Sequence, residues 1–207
     1  ANNDFSNVEV GVQFSETTTV EFELAPLYVN GNSYPVGMGV IEPYQIGYCG
    51  GGLVTNTNTG VVFCSIQDAI DDPTTLDGHT IEVGAGTYVE DLEVDKELTI
   101  LGPNAGTCGN GTRTNPEAII HPATSAPYWE VIKVQASNVT IDGFLIDGDN
   151  PNLTSGIIGT NGADLDAAEA VTVYVDNINN LTVQNNIIKN LTYFGVTIFG
   201  ASYSAPN

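Results

Sequence analysis

Val8, Val10, Val12 and Phe14 alternate with polar residues or glycine, and Val20, Phe22 and Leu24 do so again. Alternation with a period of two predicts half-buried strands. The stretch LYVNGNSY at 27–34 sets Asn30-Gly31 between β-formers, which predicts a hairpin because both turn residues need positive φ. Pro26, Pro35 and Pro43 confine their neighbours to edges and turns. Residues 1–60 contain no segment of helical period and read as an N-terminal antiparallel β unit or cap. Near its end, 53–55 and 61–63 read as short strands around a Thr/Asn turn.

SIQDAI at 65–70 is the one helix the pattern predicts. Ser65 is placed to accept from the Asp68 amide while Asp68 reaches back, a capping box, and Pro73 stops the helix. Strand-like segments follow: TIEV at 80–83, a Gly-Ala-Gly turn at 84–86, YVEDLEV at 88–94, and LTIL at 98–101, ended by Gly102-Pro103.

From there the sequence repeats. NVTIDGFLIDG at 138–148 matches NLTVQNNIIKN at 180–190 with an offset of 42, and 98–100 precedes 139–141 by 41. Each unit has an upstream strand, at 131–134 and 171–175. Such short strands between Asn, Gly and Asp corners suit a solenoid, in which each stacks on its equivalent in the next coil. The strand count favours one coil per repeat, with insertions at 102–117 and 149–170. Asn138 and Asn180 fall at one corner, Gly148 and Asn190 at another, where Asn tolerates left-handed backbone and its side chain satisfies bare amides. The expected fold is all-β: a right-handed parallel β-helix over 61–207, capped by the helix at 65–70 and preceded by the antiparallel unit at 1–60. The stretch 195–207 reads as a fresh coil with no cap. An open end is expected to be covered by further coils or domains of the same polypeptide, or by a neighbouring subunit.

These residues resemble a known family. SIQDAIDD followed by DGHTIEVGAGTYVEDLEVDKELTILGPNAG resembles the opening of the right-handed parallel β-helix, or pectin-lyase-like, superfamily found in large secreted bacterial surface proteins. ASNVTIDGFLIDG and INNLTVQNNIIKN resemble its internal coils, and the likeness covers about 65–200. For activity it implies little, because the superfamily holds polysaccharide lyases, glycoside hydrolases, esterases and non-catalytic surface modules. Lyase chemistry implies an Arg or Lys base with Ca²⁺ beside a uronate. Here Arg113 is the single Arg, and Lys96, Lys133 and Lys189 are scattered. The hydrolase branch's characteristic motifs are missing.

Charge narrows the partners. Twenty-five acidic residues against four Lys and Arg give a net −21 and a pI near 4.1. Nucleic acid and anionic membrane are excluded as partners, since both need a basic patch, and a polyuronate would be repelled. No apolar run is long enough to span a bilayer. The N-terminus lacks the layout of a signal peptide, so the chain reads as a mature or excised segment. Cys49 and Cys64 frame the hairpin at 53–63; if its pairing centres near Asn56-Thr57, they stand opposite, and a disulfide would close a loop worth ~3 kcal/mol. Two free thiols, or a Cys64–Cys108 bond, are the other options. The chemistry and acidity together point to an extracellular or cell-surface setting. Five Asn-x-Thr sequons occur, at Asn110, Asn138, Asn152, Asn180 and Asn190; three fall at repeat corners and read as structural.

Asp147-Gly148-Asp149-Asn150, with Asp164 and Asp166 on the same insertion, is the most metal-like stretch: alternating oxygen ligands around Gly suit Ca²⁺, and a solvated acidic loop is the plainer alternative. Asp142, Asp147 and Asp149 supply carboxylate pairs on which hydrolysis would have to rest. Tyr128-Trp129 is placed either to stack on a sugar face or to pack over the strand at 131, and Tyr193-Phe194 is expected to pack within the solenoid. His79 and His121 lack metal-ligand spacing and read as corner or surface residues. Two functions remain: a non-catalytic, adhesive or architectural surface module touching glycans, or a carbohydrate-active enzyme whose catalytic coils lie past residue 207.

Overall fold

The computed structural model describes residues 27–29, 32–34 and 53–199. The chain divides into two compact units, Ala1–Cys49 and Gly50–Asn207. In the first, β1 (Leu27–Val29) and β2 (Asn32–Tyr34) pair antiparallel with Val29 opposite Asn32; the expected Asn30-Gly31 turn lies outside the described residues. The alternating stretches at 8–14 and 20–24 lie outside the described residues.

The second unit is built from short strands and one helix. β3 (Val54–Asn56), β4 (Val62–Phe63) and α1 (Ile66–Asp71) come first. β5 (His79–Val83), β6 (Gly86–Val89) and β7 (Leu92–Val94) follow, then β8 (Leu98–Leu101), β9 (Ala118–His121) and β10 (Ala126–Val134). The series closes with β11 (Thr140–Asp142), β12 (Leu145–Asp147), β13 (Ala167–Val173), β14 (Thr182–Gln184), β15 (Ile187–Lys189) and β16 (Phe194–Ile198). They form three sheets, ordered β4-β3-β5-β8-β11-β14, β6-β9-β12-β15 and β7-β10-β13-β16. From β5 onward every third strand joins the same sheet, and each of these neighbours pairs in parallel. The chain is mostly β with parallel sheets.

Register explains the pattern of the sequence. Ile81, Ile100, Ile141 and Val183 stack across one sheet, with Thr80, Thr99, Thr140 and Thr182 beside them. Tyr88, Ile120, Ile146 and Ile188 stack across the second, and Leu92, Ile132, Val171 and Val196 across the third. The first three members of every aliphatic row are buried, each burial contributing about 1.5–3 kcal/mol. The 41- and 42-residue offsets are therefore single steps between adjacent strands, with excursions at 102–117 and 148–166. The second was expected to run to 170, but Ala167–Ala170 already lie in β13.

Corners keep the strands short. Asn138, Asn180 and Asn190 hold φ 57, and Asn185 φ 54. Asn180 Nδ2 donates to Asn138 Oδ1 at 2.8 Å, so equivalent corners are bonded to each other. Gly143 is obligatory: its φ is +85, and a Cβ there would sit 2.1 Å from the Ala105 nitrogen. The segment 88–94, read as one run, is broken at Glu90-Asp91 into β6 and β7, which enter different sheets. Both residues at the break are used: Asp91 accepts from the Ala123 amide and the Thr124 hydroxyl, and Glu90 caps α1.

α1 covers the β5 end of the stack, with Ile66, Ala69 and Ile70 buried. Ser65 accepts from the Asp68 amide as expected. The return arm, however, comes from Glu90, which accepts from the Ser65 hydroxyl at 2.9 Å and from the Ile66 and Gln67 amides at 3.1 and 2.8 Å. At the other end Lys96 Nζ donates to the Ile70 and Asp72 carbonyls, as a cation should at a helix C-terminus.

The hairpin before α1 has a different register from the one expected. Val54 pairs with Phe63 and Thr55 with Val62, which centres the hairpin between Asn58 and Thr59 and not near Asn56-Thr57. The turn is longer because Asn56 Oδ1 gathers the amides of Asn58 and Thr59, and Gly60 closes it at φ 76. Cys64 is disulfide-bonded, which removes the option of two free thiols; Cys49, its expected partner, lies outside the described residues. Cys108 is free and exposed, which removes the Cys64–Cys108 option. β3 also pairs with β5, so residues 54–60 belong to the second unit.

Candidate functional site

An open groove of about 660 Å³ runs beside β7 and β10, with Asp91, Glu93, Trp129, Glu130, Lys133 and Asp166 in its wall. Its shape comes from an irregularity in pairing. Ala126 faces Ala167 and Glu130 faces Glu169, so four residue steps on β10 answer two on β13. The surplus chain bulges outward, and it carries Tyr128 and Trp129, 67% and 64% exposed. Neither packs flat over the following strand. Tyr193, expected inside the stack, is exposed and lies 6.5 Å from the Tyr128 ring, with Phe194 6.4 Å further on and also exposed. An aromatic row thus adjoins the groove. The dipeptide Tyr128-Trp129 was legible in sequence; its union with Tyr193-Phe194 depends on β10 and β16 flanking β13.

The floor is acidic. Lys133 is paired with Glu93 at 2.5 Å. Asp166 is fully buried; one carboxylate oxygen accepts from the Asn150 amide at 3.1 Å and the other has no hydrogen-bond partner. Glu130, in the wall, faces Glu169, a buried residue of β13 outside the groove's lining, and each has an unpartnered Oε2. Burial, then the Glu130 charge, raise the Glu169 carboxyl above its ordinary value. The Tyr174 hydroxyl is pushed up to about 12, by burial first and then by Glu130. Nothing local in the sequence links positions 130 and 169; the pairing of β10 with β13 brings them together.

The acidic insertion is occupied by its own hydrogen bonds. Asp147 binds Lys189 at 2.8 Å and accepts from Asn190 Nδ2 and the Asp149 amide. Asp164 accepts from the Ser155 hydroxyl and amide and from Gly156, which hold its carboxyl below the usual range, the hydroxyl foremost. Asp149 is raised by partial burial and then by Asp147, Asp166 and Asp164. Asn150 accepts from the Asn152 amide and donates to the Pro122 carbonyl. Among the described residues, no group of three or more His, Cys, Asp or Glu side chains is arranged to hold a metal ion.

Asp142 is likewise a scaffold residue, accepting from the Gly106 amide, Gln184 Nε2 and Asn185 Nδ2. It lies in one sheet and Asp147 in another. Arg113, the single Arg, is buried against Glu117 at 2.8 Å and donates to the Asn185 carbonyl, pinning the 102–117 excursion to the coil. His79 joins Asn56 and the Leu76 amide at a corner. His121 Nδ1 is buried without a partner.

Among the described residues no helix is long and apolar enough to cross a membrane. No family model and no solved structure matches the chain. Over 154 residues it is 34% identical to a cell surface glycoprotein of Methanothermus fervidus, a match covering 74% of this chain and 20% of that protein. The chain thus spans about a fifth of the length of the curated relative it matches. This likeness supports the cell-surface location expected from the sequence.

Proposed function

We propose that this chain is a right-handed parallel β-helix module of a cell-surface protein, non-catalytic and adhesive or architectural, that meets glycans along the β7–β10 groove. The return of every third strand to the same sheet supports the β-helix, whose hand follows the rule for parallel crossovers. One observation carries the contact surface: the bulge in β10 lifts Tyr128 and Trp129 clear of the sheet, beside a groove rich in hydrogen-bond acceptors. Aromatic faces stack on sugar rings, and carboxylates accept from hydroxyls. The last strands favour an assembled setting, since Phe194 and Ile198 of β16 are 61% and 68% exposed while their counterparts in β13 are buried. Further domains of the polypeptide or neighbouring subunits would cover them. A glycan array on the chain and on Trp129→Ala tests the reading. Binding that the substitution removes is expected; an array blank for the native chain would sink glycan contact.

A polysaccharide-cleaving enzyme is the alternative, and the Glu130–Glu169 pair favours it, since one raised carboxyl beside another is the arrangement acid–base hydrolysis uses. A depolymerisation screen decides between the two. Turnover lost in Glu130→Gln would establish the enzyme.

A further inference from the structure

We infer that Asn110 and Asn152 are N-glycosylation sites, and that the fold withholds the other three sequons from modification. The inference rests on the cell-surface location and is independent of the groove. The reaction is transfer from a lipid-phosphate-linked oligosaccharide. Asn Nδ2 forms a bond to the anomeric carbon, and that carbon's bond to the phosphate oxygen breaks. The phosphate keeps the electron pair, and the amide nitrogen gives up one proton. It demands an Nδ2 free of protein acceptors and a sequon an enzyme can reach from solvent.

Asn180 and Asn190 fail the first requirement, each giving its Nδ2 to a protein acceptor, and Asn138 fails the second, its Thr140 being held in β11 between β8 and β14. Asn190 is bonded at both ends of its amide, donating to Asp147 Oδ1 at 2.7 Å and accepting from Asn161 Nδ2 at 2.8 Å, and its sequon Thr192 donates to the Pro127 carbonyl at 2.7 Å. Asn180 donates its Nδ2 to Asn138 Oδ1. The Thr residues of those two sequons, Thr182 and Thr140, are locked side by side in β14 and β11. All three Asn residues hold φ 57, so each corner depends on its present geometry.

The other two meet both requirements. Asn110 and Thr112 are both exposed in the 102–117 excursion. Asn110 Oδ1 accepts from Cys108 Sγ, and no acceptor among the described residues holds its Nδ2. Asn152 and Thr154 are exposed in the 148–166 excursion, where only the Asn152 backbone amide is engaged, with Asn150. Neither sequon lies in a strand. Both sit in insertions between strands, where an added sugar displaces no ladder bond.

The full chain, folded or unfolded in urea and diluted, is incubated with an oligosaccharyltransferase and a lipid-linked donor, and glycopeptides are mapped by mass spectrometry. The folded chain should carry glycan at Asn110 and Asn152 alone, the unfolded chain at all five. Transfer to Asn138, Asn180 or Asn190 in the folded chain overturns the inference. So does a folded chain that refuses both open sequons. Glycopeptide mapping of the protein from its native envelope gives a reading that no choice of enzyme affects: sugar on Asn110 and Asn152 is expected, and bare peptides at both overturn the proposal. Asn110→Gln with Asn152→Gln should abolish modification of the folded chain without changing its melting temperature.

Discussion

Gly143 shows how much a single corner atom can decide. A methyl there meets the Ala105 nitrogen at 2.1 Å and imposes φ +85 on an L side chain. Gly143→Ala should destabilise the unit by about 2–4 kcal/mol in urea unfolding, as strain at a positive-φ site adds to a backbone clash. Gly60→Ala, also at positive φ but with open space around its Cβ, should cost about 1 kcal/mol. The Glu169 carboxyl gives a prediction of opposite sign. Its value is raised above 4.5 in the folded chain, so the native state holds the proton more tightly than the unfolded state does. Stability therefore falls as pH rises from about 4.5 through the folded value and stays lower beyond. Glu169→Gln should raise the melting temperature at pH 7, and the gain should vanish below the unfolded value. An unchanged melting temperature at pH 7 would show that the pair carries no strain.

At the scale of elements, α1 is too short to stand alone and depends on two residues from the coil beneath it. Glu90 satisfies its first amides and Lys96 its last carbonyls. Glu90→Ala should cost about 1–2 kcal/mol, a cap's worth, and amide exchange should quicken first at Ile66 and Gln67. Exchange unchanged in α1 would mean that Ser65 alone is a sufficient cap. The bulged strand β10 makes the other point: one strand supplies both the aliphatic row at Ile132 and Val134 and the exposed pair at Tyr128-Trp129, because the irregularity separates its two halves.

The whole molecule carries its −21 with few ion pairs to offset it. Screening should therefore stabilise it, and the melting temperature should climb between 10 mM and 1 M NaCl, over which the Debye length falls from about 30 Å to 3 Å. Ca²⁺ at matched ionic strength should give the same shift, because Asp147, Asp164 and Asp166 each already spend an oxygen on a protein donor. An excess from Ca²⁺ that Asp147→Ala removes would establish the metal reading of the insertion.

Much of this was written locally. Apolar residues two apart, Asn and Gly at fixed offsets and a 42-residue echo are properties of adjacent or periodic positions, and they determined the strands, the corners and the stacking of 140–142 on 182–184. Ser65 and Pro73 likewise bounded the helix within one residue. What joined distant positions was undetermined until the chain closed on itself. The hairpin register turned on the amides that Asn56 gathers, the helix cap on Glu90, and the groove on a bulge whose only sign in sequence was Pro127 beside two aromatics. The sequons divide the same way: the motif is local, but whether its amide is free depends on a partner 42 or 43 residues off, Asn138 for Asn180 and Asp147 for Asn190. A hydrogen bond across a coil has no signature in the order of residues, since it is made by the stacking and not by the neighbours along the chain.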